Sequence, residues 1–262
     1  MRRNEKTRLA YYTFDHLTEL GIKHAVATRL GGVSRQPFAT LNIGNTVGDS
    51  PASVAENLDR LHVALDLDPG STVTAEQIHG SRVTSVGRSG WGAAVPSSDA
   101  LVTDESGTTL LLRFADCVPL FLVDAETGAV GLGHAGWRGT AARLAGRLVE
   151  AMVSLYRSDP AHLWAGLGPG IAAHHYAVSD EIASRVAPAL PDPNRALIRS
   201  NGAVHLDLWE ANRQQLLAEG VAETELMPLC TACQSHEFFS HRGEGPTTGR
   251  FAALLSRGAA PC

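Results

Sequence analysis

Residues 109–156 read TLLLRFADCVPLFLVDAETGAVGLGHAGWRGTAARLAGRLVEAMVSLY. Three short apolar runs come first, Thr109 to Phe114, Val118 to Val123 and Ala129 to Gly133, each bounded by turn residues as buried strands are. From Thr140 the period changes. Leu144, Leu148, Met152 and Leu155 fall on one helical face and arginines on the other, which predicts a helix over Thr140 to Tyr156.

Outward from this stretch the same two patterns recur. Ala25 to Thr28, Thr72 to Thr74, Arg82 to Val86 and Ala100 to Thr103 are further predicted strands. Ser53 to Leu65, Ser179 to Ala187 and Leu206 to Ala218 are predicted helices, the second with Asp180 and Glu181 where the helix dipole favours acids. Gly87 to Ser98 and Pro191 to Asn201 read as exposed loops, and neither looks like a domain boundary. Strands and helices in mixed order, without an internal repeat or a polar linker, predict a single domain over 1–262 of the α+β (mixed α/β) class.

Composition excludes several functions. With 44% apolar and 19% charged residues the chain is that of an ordinary globular protein. No apolar run approaches the ~18 residues of a membrane span, and the charged start, Met1 to Thr13, lacks the apolar core of a signal peptide, so no membrane partner and a cytoplasmic location are expected. A net charge of -5 with scattered signs argues against nucleic acid. Lys6 and Lys23 are the only lysines, which disfavours Schiff-base chemistry and leaves arginine, with its planar fork, for anions. The four cysteines, 117, 230, 233 and 262, are expected as thiols.

Three segments place a soft or borderline metal ligand beside glycine or a turn: Gln77-Ile78-His79-Gly80, Ala115-Asp116-Cys117-Val118-Pro119 and Gly133-His134-Ala135-Gly136-Trp137-Arg138-Gly139. One thiolate and two imidazoles suit an open zinc site with room for water or substrate. The spacing is far from a self-sufficient zinc signature. The alternative, two histidines satisfying core hydrogen bonds and a buried small thiol, stays open on residues alone.

These segments, in this order, resemble the YfiH or DUF152 family, also called the multicopper polyphenol oxidase (laccase) or purine nucleoside phosphorylase family. The likeness runs over about 24–256, from Thr28-Arg29-Leu30-Gly31-Gly32-Val33-Ser34 and Leu41-Asn42 through Asp99-Ala100-Leu101-Val102-Thr103 and Leu167-Gly168-Pro169-Gly170-Ile171. It continues in Asp207-Leu208, Phe238-Phe239-Ser240, Arg242 and Gly249-Arg250. The resemblance implies a layered α/β/β/α sandwich of mixed sheets with outer helices, and Zn2+ on His79, Cys117 and His134. It also implies phosphorolysis of adenosine, inosine, guanosine and methylthioadenosine together with adenosine deamination.

The implied chemistry makes demands that the sequence can meet. Deamination needs an activated water at C6 of adenine and a nearby acid or base, for which Asp116 is the candidate, its alternative role being a turn carboxylate. Phosphorolysis needs donors around phosphate and an oxocarbenium-like sugar; Arg29, Arg138, Arg242 and Arg250 are the candidates. Arg138 is favoured because Gly136 to Thr140 precedes the predicted helix, and surface ion pairs are the alternative for each.

Cys230-Thr231-Ala232-Cys233 has redox or half-zinc spacing but no second such pair, and is expected as structural thiols near the site. His174-His175 resembles a metal pair; neighbours on a strand face opposite ways and rarely bind one ion, a limit that a loop would evade, so the metal reading stays open as the lesser one. His174-His175 and Tyr176-Ala177-Val178 also depart from the family, which commonly has cysteine or small residues and then a middle acid there, leaving substrate specificity open. Three rivals stand beside the nucleoside reading of an expected monomer: a copper polyphenol oxidase, disfavoured by the lack of paired histidine motifs, a Cys117 hydrolase or amidase with His79 or His134 as base, and a non-catalytic zinc protein of the cell-division or envelope machinery.

Overall fold

The computed structural model describes residues 1–257. Its strands are β1 Arg2–Lys6, β2 Leu9–Thr13, β3 Lys23–Ala27, β4 Thr72–Ala75, β5 Val83–Ser85, β6 Ala94–Val95, β7 Ala100–Thr103, β8 Thr109–Phe114, β9 Val118–Asp124, β10 Val130–Ala135, β11 Leu163–Leu167, β12 Ala177–Val178, β13 Leu197–Ser200, β14 Ala203–Leu206, β15 Glu223–Leu226 and β16 Phe251–Ser256. The helices are α1 Asp15–Glu19, α2 Pro51–Leu65, α3 Trp137–Ala141, α4 Leu144–Tyr156, α5 Asp180–Val186, α6 Pro193–Ala196, α7 Leu208–Ala218 and α8 His241–Glu244.

Two mixed sheets carry the fold, ordered β1-β2-β3-β16-β8-β4-β6 and β15-β11-β9-β10-β7-β5, and a small third sheet has the order β12-β14-β13. Alternation along the strands explains the layering. In β9, Phe121 and Val123 join Leu110, Leu112, Phe114, Phe238 and Phe251 in the core between the two large sheets. Val118, Leu120 and Leu122 point the other way, onto Leu144, Leu148 and Met152 of α4 and Leu208, Ala211 and Leu216 of α7. The opposite face of the first sheet, with Leu9, Ala27, Leu111 and Leu254, is covered by Leu61 and Ala64 of α2. The result is the α/β/β/α sandwich that the resemblance implies. Each fully buried leucine or phenylalanine contributes ~1.5–3 kcal/mol to it.

Three local expectations are corrected. The helix read as Thr140 to Tyr156 is two helices, broken where Arg143 takes a left-handed φ of 59°. The loop read at Gly87 to Ser98 contains β6, which pairs in parallel with β4. The loop read at Pro191 to Asn201 contains α6 and β13. Short edge strands with few buried side chains leave little hydrophobic periodicity to read. No described helix is long and apolar enough to cross a membrane.

Candidate metal centre and active site

Each predicted ligand sits where the chain leaves or joins a large sheet. His79 lies in the loop after β4, Cys117 at the crossover from β8 in one sheet to β9 in the other, and His134 within β10. One ligand atom from each lies within 4.8 Å of the others, and the two imidazoles meet edge-to-face with centroids 4.8 Å apart. A Cβ on Gly136 would stand 2.7 Å from Cys117 Sγ, so glycine alone lets α3 start this close to the sulfur.

Asp99, fully buried at the start of β7, organises the centre. Its Oδ1 accepts from His134 Nδ1 at 2.9 Å and from the His79 amide at 2.9 Å, while Oδ2 accepts from the Gly80 amide at 2.7 Å and the Ile78 amide at 3.2 Å. One carboxylate thus holds both the ring of one ligand and the loop that carries another. With Nδ1 occupied as donor, the neutral form of His134 would present its Nε2 lone pair to a cation in the cluster, the usual arrangement of a carboxylate behind a metal-bound imidazole. Gln77 adds a second pin, exchanging two hydrogen bonds with the Arg113 backbone at 2.8 and 2.9 Å, and His79 takes a left-handed φ of 61° between the two pins.

The electrostatics favour positive charge in the centre. Burial opposes ionisation of Cys117, yet His134 and His79 outweigh it and pull the thiol down to about 6. For buried His134 the negative charges of Cys117 and Asp99 overcome desolvation and raise it to about 9. Burial likewise opposes the charge on Asp99, but His134 and the loop amides hold its carboxyl below the usual carboxylate range. A buried thiolate and carboxylate stabilising a cationic imidazole would stabilise a bound cation between the same groups. Two nitrogens and one sulfur fit a borderline-soft ion such as zinc.

The ligands line a cleft of about 810 Å³, a volume suited to a small molecule. Asp116, Arg138, Arg242 and Arg250 line it too, with Trp137 and Tyr176. Asp116, left-handed at φ 87°, turns its carboxylate toward three donors: Thr231 Oγ1 at 2.6 Å, Ser240 Oγ at 2.7 Å and the Arg242 amide at 2.7 Å. It therefore holds α8 and the 230s turn to the crossover, the turn-carboxylate role left open by the sequence.

Two arginine–aromatic pairs flank the mouth. Arg138 lies 4.9 Å from the Trp137 ring centroid and Arg242 lies 5.0 Å from that of Tyr176. Arg242 also donates to Ala177 O at 3.0 Å, and the Arg250 guanidinium donates to the carbonyls of Thr248 and Gly249. Burial, reinforced by the Cys117 and Asp116 charges, keeps the Tyr176 hydroxyl protonated far above its usual range.

Arg29 is the candidate that the structure does not bring to the cleft. The residue is only 8% exposed, and its guanidinium donates to Ala39 O at 2.9 Å, Ser235 O at 2.7 Å, Phe238 O at 3.4 Å and Glu244 Oε1 at 2.6 Å, over the Phe239 ring. Its Nε and Nη1 donors are engaged by the scaffold. The anion argument for Arg138 also changes, because the long helix begins only at Leu144; Arg138 sits in the short α3, tied to α7 through Asn212 Nδ2 and Thr140 Oγ1 at 3.0 Å. Cys117, Cys230 and Cys233 are free thiols, and Cys262 lies outside the described residues.

Sequence reading missed Asp99 and Tyr176 as working residues, although both lie in quoted segments. The signal available for Asp99 was a lone acid against the first residue of a largely apolar strand, Ala100–Thr103.

Comparison with known proteins gives the chain its family and a matching fold. The family model described as multi-copper polyphenol oxidoreductase laccase matches residues 23–258. A purine nucleoside phosphorylase YlmD of Geobacillus stearothermophilus is 40% identical over 90% of each chain, and a purine nucleoside phosphorylase of Deinococcus radiodurans is 37% identical over 90% of this chain and 89% of its own. The crystal structure of YlmD from Geobacillus stearothermophilus superposes with a TM-score of 0.92 at 37% identity, covering 97% of this chain and 98% of that one.

Proposed function

Because the chain belongs to the multi-copper polyphenol oxidoreductase laccase family, we propose that it is a purine nucleoside phosphorylase whose His79, Cys117 and His134 hold zinc. It cleaves adenosine, inosine, guanosine or methylthioadenosine with phosphate to the base and the ribose 1-phosphate, and also deaminates adenosine. It works in the cytoplasm as a monomeric single domain over 1–262. One observation carries the reading: a His/Cys/His cluster in a cleft of about 810 Å³ whose mouth is flanked by two arginine–aromatic pairs.

The residues divide the labour by chemistry. Trp137 and Tyr176 offer aromatic faces and edges to a purine, while Arg138, Arg242 and Arg250 supply cationic forks to phosphate. In phosphorolysis a phosphate oxygen forms a bond to the anomeric carbon as the glycosidic bond breaks. The electron pair leaves with the purine, whose ring nitrogen must gain a proton. The arginines hold the attacking anion, and the protonated Tyr176 hydroxyl is a donor beside the reacting groups. Asp116 keeps Arg242 in place through its amide. Zinc held by His79, Cys117 and His134 would supply Lewis-acid chemistry to the substrate.

A second reading has its own support. Cys117, His134 and Asp99 form a thiol–imidazole–carboxylate series like that of cysteine hydrolases, with the thiol at about 6. His79, a further ligand pointed at the same sulfur, has no place in such a triad and favours the metal.

The test is to incubate metal-assayed protein with adenosine, with and without phosphate, and to identify products by chromatography and mass spectrometry. Phosphate-dependent adenine and ribose 1-phosphate, or phosphate-independent inosine, both lost in Cys117→Ala, are expected. Adenosine left untouched by zinc-loaded protein would overturn the reading, and rapid alkylation of Cys117 in metal-replete enzyme would favour the hydrolase.

A further inference from the structure

Apart from the centre in the cleft, His174, His175, Cys230 and Cys233 form a second group whose ligand atoms lie within 4.8 Å of one another. The objection that adjacent histidines face opposite ways holds for a strand, but Ala173–His175 is a 3₁₀ turn, and the two rings lie with centroids 4.6 Å apart. His174 Nε2 is already 3.1 Å from Cys233 Sγ. Cys230 is buried, and its sulfur accepts the Ala172 amide at 3.4 Å, the kind of hydrogen bond that supports a thiolate ligand.

The backbone holds the two segments together. Gly170 bridges Cys230, and the Thr231 amide donates to Gly170 O at 3.0 Å. With zinc–nitrogen bonds of about 2.0–2.1 Å and zinc–sulfur bonds of about 2.3 Å, tetrahedral ligands stand roughly 3.3–3.8 Å apart. His174, His175 and Cys233 are exposed, so small side-chain rotations about the fixed Cys230 close the remaining gap.

We infer that His174, His175, Cys230 and Cys233 form a second metal site, a closed two-histidine, two-cysteine zinc site that fastens one wall of the cleft. Four protein ligands leave no open position, so its role is structural. The segments it joins matter to the first centre: the His174-His175 turn leads directly into Tyr176, and the Cys230 turn carries Thr231, whose hydroxyl holds Asp116. Zinc here fixes Tyr176 and the Asp116 network in one position.

The test counts metal and does not depend on nucleoside turnover. Reduced protein is stripped by chelator, reloaded with Zn2+ or Co2+, desalted and analysed by mass spectrometry of the metal. Wild type takes two equivalents, Cys117→Ser one, Cys233→Ser one, and the double variant none. In the Cys117→Ser background any bound metal reports on the second site alone: its cobalt form shows a thiolate-to-metal absorption band that Cys233→Ser removes, and added zinc raises its melting temperature. His175→Ala provides the same comparison should Cys233→Ser fold poorly. No metal in folded Cys117→Ser, or a cobalt spectrum unchanged by Cys233→Ser and His175→Ala, overturns the proposal; so does a Cys230–Cys233 disulfide that survives treatment with excess reductant.

Discussion

Replacing Asp99 by asparagine changes one buried oxygen into an NH2 group, and the structure allows the cost to be worked out for either orientation. With the NH2 in place of Oδ2, the amides of Ile78 and Gly80 lose their acceptor and face a donor. At about 1–3 kcal/mol for each stranded buried group, this destabilises the fold by about 2–6 kcal/mol. With the NH2 in place of Oδ1, the His79 amide is stranded and His134 must accept at Nδ1, which moves its proton to Nε2 and removes the lone pair that faces the cluster. Loss of such a supporting carboxylate weakens metal binding by about 10–100-fold. Urea unfolding of metal-free Asp99→Asn measures the first effect, and competition with a chromogenic chelator measures the second. A variant within about 0.5 kcal/mol of wild type, with unchanged zinc affinity, would refute the assignment of Asp99 as the organiser of the centre.

Gly136→Ala puts a methyl group 2.7 Å from Cys117 Sγ, and zinc affinity should fall at least about tenfold while the circular dichroism spectrum is kept; unaltered affinity in a chelator titration would show that the sulfur can move aside freely. Arg29→Lys loses the planar fork that serves three carbonyls and Glu244, so unfolding should become easier by about 2–4 kcal/mol with no change in the KM for phosphate, whereas a raised KM would return Arg29 to the cleft. His24 and His62 are held neutral, mainly by burial, each with one ring nitrogen donating to a carbonyl and the other accepting, from the Phe14 amide or the Thr72 hydroxyl. Their folded values lie below the ordinary 6.5, so the unfolded chain binds more protons there. Their contribution is complete above pH ~6.5 and is lost as pH falls, at up to about 2.7 kcal/mol per pH unit for the pair. The double variant His24→Gln, His62→Gln should show a flatter acid limb in pH-dependent urea melts than wild type, and an equal slope would contradict it.

The sequence made visible those parts of the fold where one period runs long enough to be counted. Every strand of residues 100–135 was legible because side chains buried on both faces leave continuous apolar runs, as in Val118–Asp124. What escaped was decided by tertiary partners. The break between α3 and α4 falls on Arg143, a residue type that carries no helix-stop signal, and α7 docks beside it through Asn212 and Gln215. Asp99 acquires its meaning only from His134, at the far edge of the next hairpin, and from a loop folded back on the other side. The metal ligands themselves were readable by residue type and by resemblance, but Arg29 and the cleft arginines look alike in sequence. Only the position of Glu244 and three carbonyls separates them.

The three cleft ligands do not belong to one layer. His79 hangs from the first large sheet, His134 is part of the second, and Cys117 lies on the β8–β9 crossover between them. An ion held by all three acts as a rivet through two plates, and the angle between those plates is set by the aromatic filling of Phe114, Phe121 and Phe251. Reshaping that filling, whose Phe114 ring already lies 5.3 Å from the His134 ring, would tilt one plate against the other and loosen the rivet, so metal affinity in this protein is also a gauge of how well its deepest core is packed.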